Sequence, residues 1–241
     1  MCEGMLIFAS LASSVLFALC FSAWNYSREV SPVFYLGLLL LTVFGFVFNY
    51  LRSSKSDNRI TNLRKPANTM KIVAIILFAV LSSVAVLTKI ELFWILTFAT
   101  GIIMLVSIDT IYNNTDKRYL IRYHNAQVFL TGLMLASFMI SEPLPFVFIS
   151  ILKALYLLGF KVFRRHNLYE KLFSIVYILF LGIVSYGLFN SFSDVHFVVV
   201  LTILLIFELG MRIIFYFDLS AGKSVFELSE ESELTRNEKA S

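Results

Sequence analysis

Three ionisable side chains lie deep inside apolar runs, and they are the residues of this chain best placed to do chemistry. In "FELGMRIIFYF" Glu208 and Arg212 stand four residues apart, the spacing of an ion pair along one helix face. Lys153 sits mid-run in "ISILKALYLL" with no carboxylate near it in sequence. A charge at the bilayer centre costs at least about 2.5–3.5 kcal/mol even on insertion scales, so each of the three must pair or face a cavity. Such groups either carry protons and substrates or lock helices together, and for Glu208 and Arg212 the structural role is preferred. Lys153 reads most simply as a snorkelling lysine, but its depth argues for a partner on another helix. At 1.5 Å per residue it falls about 12 Å past Pro145, and Glu208 about 20 Å past Val195. A lysine stem spans much of that difference. Lys153 and Glu208 are therefore expected to meet, with Arg212 competing for the carboxylate. Asp109, close to Lys117 and Arg118, is a further candidate.

Other chemistry is sparse. There is no phosphate-binding glycine loop, no HExxH and no Gly-x-Ser-x-Gly elbow. Cys2 and Cys20 form no CxxC pair, so this chain alone holds no iron–sulfur cluster and no structural disulfide is expected. A bis-histidine haem needs two imidazoles at similar depth. Only His124 and His166 could share one, and His166 belongs to a loop beginning "RRHN"; His196 lies at the opposite end. Interfacial histidines are the preferred reading, with no haem and no metal.

The elements that must position these groups are membrane helices. The chain is 59% hydrophobic and 15% charged, with a mean hydropathy of +0.81, beyond what a soluble domain of 241 residues can hide. About eight stretches approach the roughly 20 residues a helix needs to cross hydrocarbon. They are 5–24, 33–50, 70–87, 92–112, 125–140, 146–163, 168–189 and 195–217. No period-two alternation supports a β-barrel. The expected fold is an all-α polytopic bundle over residues 1–218, followed by a polar tail over 219–241. The fifth and sixth stretches are short and divided by "SEPLP"; a re-entrant hairpin there would leave six spanning helices. The N-terminus has no basic n-region, so the first helix reads as retained rather than as a signal peptide.

Bases gather in alternate loops. Arg52, Lys55, Arg59, Arg64, Lys65 and Lys71 flank the second connection. Lys117, Arg118 and Arg122 mark the fourth, and Lys161, Arg164, Arg165 and Lys171 the sixth. The odd connections hold only Arg28 and Lys89. The base-rich side is thus expected to be cytoplasmic, with both termini inside. The net charge of +4 is topology, and no nucleic-acid partner is implied.

Four passages carry a likeness. The first helix follows an acidic residue with "LIFASLASSVLFAL". The connection "NYLRSSKSDNRITNLRKPANTMKI" includes an "NLR", and "SIDTIYNNTDKRYLIRYHNAQVFLTGLML" lies further on. The close is "FELGMRIIFYF", through Glu208, Leu209, Gly210, Arg212, Phe215 and Tyr216. In these the chain resembles the eight-helix membrane anchor subunits of the dimethyl sulfoxide reductase family. The likeness spans nearly the whole chain, and only its last motif is fairly specific.

The resemblance implies a non-catalytic anchor in a bacterial cytoplasmic membrane. It would dock an iron–sulfur subunit and a molybdopterin subunit, and pass electrons from the quinone pool, menaquinone or another quinone. The quinone residues it points to are Asn49, Arg64, Thr69, Lys71, Asp109 and His124. At Asn49 the family has a histidine, at Lys71 a glutamate, at Thr69 a serine and at His124 a tryptophan. Asparagine accepts no proton at any accessible pH, and lysine does so only if desolvation lowers its pKa. The quinol site is degenerate here, and its proton acceptor would shift to Asp109, His124 or Glu208. A small transporter or channel using Lys153 and Glu208, and a purely structural anchor without quinone chemistry, are the alternatives.

Overall fold

The computed structural model describes residues 2–26, 32–56, 66–107, 118–159, 168–190 and 196–215. Side chains at 2–6, 26, 32, 47–56, 66–71 and 118–125 fall outside that description, as does the tail after 215. Among the described residues the chain forms helices α1 (Cys2–Tyr26), α2 (Pro32–Ser56), α3 (Pro66–Thr88) and α4 (Glu91–Ser107). These are followed by α5 (Arg118–Met139), α6 (Pro143–Leu157), α7 (Leu168–Phe189) and α8 (His196–Phe215). Pro32, Pro66 and Pro143 each open a helix, where a fixed φ helps and the missing N–H would have had no helical partner anyway.

Two connections are tight. Lys89 and Ser141 adopt left-handed backbone conformations, φ 56° and 57°, the geometry that closes a helix C-terminus. The Lys89 N–H donates to the Ala85 carbonyl at 2.8 Å, and the Glu142 N–H to that of Ser137 at 3.2 Å. "SEPLP" is thus a capped turn followed by a proline-started helix, which sets α5 and α6 side by side.

The bundle is arranged around α1, which packs on α2, α4 and α5. Of its apolar span Ile7–Asn25, 72% is buried, against 22% for α7 and 17% for α8. Small side chains explain the central place: Ala9, Ser10, Ala12, Ser13, Ser14 and Ala18 are all buried and let neighbouring backbones approach closely. α5 is the seam between two clusters. Its Val128, Leu135 and Met139 join Leu16, Phe17, Phe78 and Met104. Its Leu130, Met134 and Phe138 join Phe146, Tyr177, Leu181 and Leu204.

Outside, the polarity is inverted relative to a water-soluble protein. Val33 (81% exposed), Ile183 (68%) and Ile206 (62%) point outward, while serines, threonines and charges are buried. Ile7–Asn25, Leu168–Phe189 and His196–Phe215 are long and apolar enough to cross a membrane, and shorter apolar helices accompany them. This is the pattern of a membrane protein.

Candidate functional site: a buried ionic network

Five helices meet at one set of polar side chains. From α6, the Lys153 ammonium approaches the Glu208 carboxylate of α8, Nζ to Oε1 2.5 Å, both side chains almost wholly buried. The same ammonium donates to Thr131 Oγ1 on α5 at 2.5 Å. Thr131 Oγ1 lies 2.7 Å from Glu208 Oε2 and 2.7 Å from the Gln127 carbonyl. One hydroxyl proton serves one acceptor at a time, and a carboxylate is the stronger. Donation to Glu208 closes a ring in which lysine feeds threonine and both feed glutamate. From α7, the Tyr177 hydroxyl donates to Glu208 Oε1. Its ring stacks on Phe207 at 5.0 Å and 12°, and the Lys153 ammonium stands 5.8 Å from its centroid, within cation–π range.

Arg212, one turn beyond Glu208 on α8, reaches across to α1. Its Nη1 and Nη2 donate to Ser10 Oγ and Ser14 Oγ, each at 3.0 Å. Those serines lie four residues apart and match the fork of the guanidinium. Ser14 Oγ is also 3.4 Å from the Val128 carbonyl of α5. α1, α5, α6, α7 and α8 are thereby tied by two cations, one carboxylate and four hydroxyls. A carboxylate whose oxygens are taken by lysine, threonine and tyrosine is well satisfied, so this geometry holds charge in place rather than offering it to a metal. Among the described residues no group of three or more His, Cys, Asp or Glu could hold a metal ion.

The structure thus brings Lys153 and Glu208 together, and Arg212 joins the same polar layer while turning its guanidinium to α1. The residues assigned to quinone are less visible. The backbone sets Asn49 in α2, Thr69 and Lys71 in the first turns of α3, and His124 in α5. Their side chains lie outside the described residues, as do Arg64, Asp109 and His166 altogether.

No family model, no curated protein and no solved structure matches the chain.

Thr131, Tyr177, Ser10 and Ser14 belong to the network without having been singled out by sequence. Tyr177 did carry a signal, since it sits mid-run in "SIVYILF", far from the interface where tyrosines gather, and a buried phenol needs a partner. The "ASLASS" run of α1 was a weaker one.

Proposed function

We propose that this protein is the membrane anchor subunit of a molybdopterin and iron–sulfur oxidoreductase, built as an eight-span bundle with both termini in the cytoplasm of a bacterium. One observation carries the reading. The segment in which the likeness to the dimethyl sulfoxide reductase anchors is most specific, Glu208 to Tyr216, also ties the bundle through Glu208 and Arg212. A motif that locks five helices suits a subunit whose task is to present a rigid face to partners. The quinone would lie near Asn49, Arg64, Thr69, Lys71, Asp109 and His124, and electrons would pass to the partner's cluster. Solubilised mildly from its native membrane, the chain should co-purify with an iron–sulfur protein and a molybdopterin protein. Recovery as a lone monomer with transport activity would overturn the proposal.

The orientation has its own test. Single cysteines at Lys55, Lys117, Arg165 and Asn190, in a chain with Cys2 replaced, are exposed to an impermeant thiol reagent on intact cells. Asn190 should label and the other three should not. The reverse pattern would invert the topology.

A second reading is supported by what borders the network. Gln127 Nε2, one turn from Thr131, and Ser150 Oγ, one turn from Lys153, are buried with no hydrogen-bond partner. Polar groups thus continue along the bundle on both sides of the ion pair, as a proton or ion path would require. Proteoliposomes with a pH-sensitive dye decide it. Proton flux abolished by Glu208→Gln favours transport, and absence of flux leaves the anchor.

A further inference from the structure

The two ends of the bundle carry unlike charge. Arg212 of α8 meets Ser10 and Ser14 of α1, and Ser14 lies against Val128 of α5. Phe173 of α7 abuts Gly210 while Phe180 lies beside Phe207, so α7 runs antiparallel to α8. The starts of α1, α5 and α7 and the end of α8 therefore share one end. Tyr35, near the start of α2, bonds Ser82, near the end of α3, at 2.7 Å. Phe21 and Trp24, late in α1, face Phe98, early in α4, and α4 follows α3 through the tight turn at Lys89. The end of α2 and the start of α3 thus lie at that same end. There the backbone sets six bases: Arg52 and Lys55 in α2, Lys71 in α3, Arg118 and Arg122 in α5, and Lys171 in α7. Only Glu3 and Glu170 stand against them in the described helices. The opposite end has Lys89 against Glu91 and Glu142, a slight excess of acid.

The described span of α8 finishes at Phe215 on the base-rich end, and 26 residues of chain follow it. Among them "VFELSEESEL", residues 225–234, holds Glu227, Glu230, Glu231 and Glu233 with no base between them. Twelve residues lie from Phe215 to Glu227, a reach of up to about 40 Å when extended. Neighbouring helix axes stand only about 8–10 Å apart, so the segment can reach any helix end of the bundle. A tether of this length keeps it there at an effective concentration on the order of millimolar.

We propose that the acidic segment 225–234 docks on the base-rich end of its own chain, as a built-in cover that an acidic partner must displace. Opposite charge supplies the attraction and the tether supplies the concentration. Anionic lipid headgroups would take the same bases. The tail is fixed beside those bases, however, and four undocked carboxylates would be repelled by an anionic surface. The proposal does not depend on the anchor reading.

Two measurements on the full-length protein, one copy per nanodisc of zwitterionic lipid, test this. A carbodiimide joins a carboxylate to an amine only where the two touch. Mass spectrometry should find Glu227, Glu230, Glu231 or Glu233 joined to Lys55, Lys71 or Lys171, and the absence of every such link would overturn the proposal. Spin labels are then placed at Ser232→Cys and at Leu168→Cys, an exposed position at the start of α7, with Cys2→Ala and Cys20→Ala. Their distance distribution should be narrow at about 0.01 M salt, where charges act over roughly 30 Å. The narrow component should fall about tenfold when Glu227, Glu230, Glu231 and Glu233 all become glutamine, the effect of four exposed pairs at the low end of their range. About 1 M salt should do the same, since screening is then nearly complete. Replacing part of the lipid by phosphatidylglycerol should leave the distribution narrow; broadening there would assign the bases to lipid and overturn the proposal. So would a distribution that neither salt nor the glutamine variant changes.

Discussion

Lys153→Met and Glu208→Gln are each expected to destabilise the bundle by about 3–5 kcal/mol, the cost of leaving the other half of a buried ion pair uncompensated. Lys153→Met leaves Glu208 with Thr131 and Tyr177 as donors, which solvate a carboxylate without neutralising it. Glu208→Gln is the harsher in charge, because Lys153 and Arg212 then share the core without their carboxylate. The double variant should lose clearly less than the sum, since neither Lys153 nor Glu208 is then left buried without the other. Tyr177→Phe, which removes one donor to the carboxylate and leaves the ring stacked on Phe207, should cost about 1.5–3 kcal/mol. Unfolding of the purified protein in mixed micelles of rising denaturing-detergent fraction, followed by helical circular dichroism, gives all four values. Strictly additive losses, or a silent Lys153→Met, would show that the ion pair contributes nothing.

The second large effect comes from Gly101 of α4. A Cβ there would stand 2.6 Å from Phe17 Cδ2 and 2.9 Å from Phe78 Cε2. Both rings are only 1% exposed, and neither can move without disturbing the packing of α1 on α4. Gly101→Leu is expected to cost at least about 1–3 kcal/mol by overpacking. Gly182 of α7 is the contrast, because nothing lies within 4 Å of its Cβ position. Gly182→Ala should be neutral or stabilising, by up to about 1 kcal/mol of helix propensity. The same micelle titration separates them. Equal behaviour of Gly101→Leu and Gly182→Leu would mean that the α1–α3–α4 contact is looser than its geometry shows.

Much of the helix layout is legible in the residues alone. Apolar runs mark the helices because hydropathy acts on the local chain. The structure starts α3 at Pro66 and α6 at Pro143, ahead of the runs at 70 and 146, since a proline opens a helix before its apolar face begins. The meeting of Lys153 with Glu208 is legible for a related reason. A membrane turns residue count into depth, and two opposite charges at comparable depth have few other partners. Depth is one coordinate only. Which helix stands at the centre depends on how closely backbones can approach, and the small residues of α1 decide it through contacts with α2, α4 and α5 together. The rotation of α8 about its axis turns Arg212 toward Ser10 and Ser14, although its spacing from Glu208 points to an intrahelical pair. Thr131 and Tyr177 enter the network because α5 and α7 present those faces to α8. Neighbour order and rotation arise from the packing of all the helices at once, so no single stretch of sequence contains them.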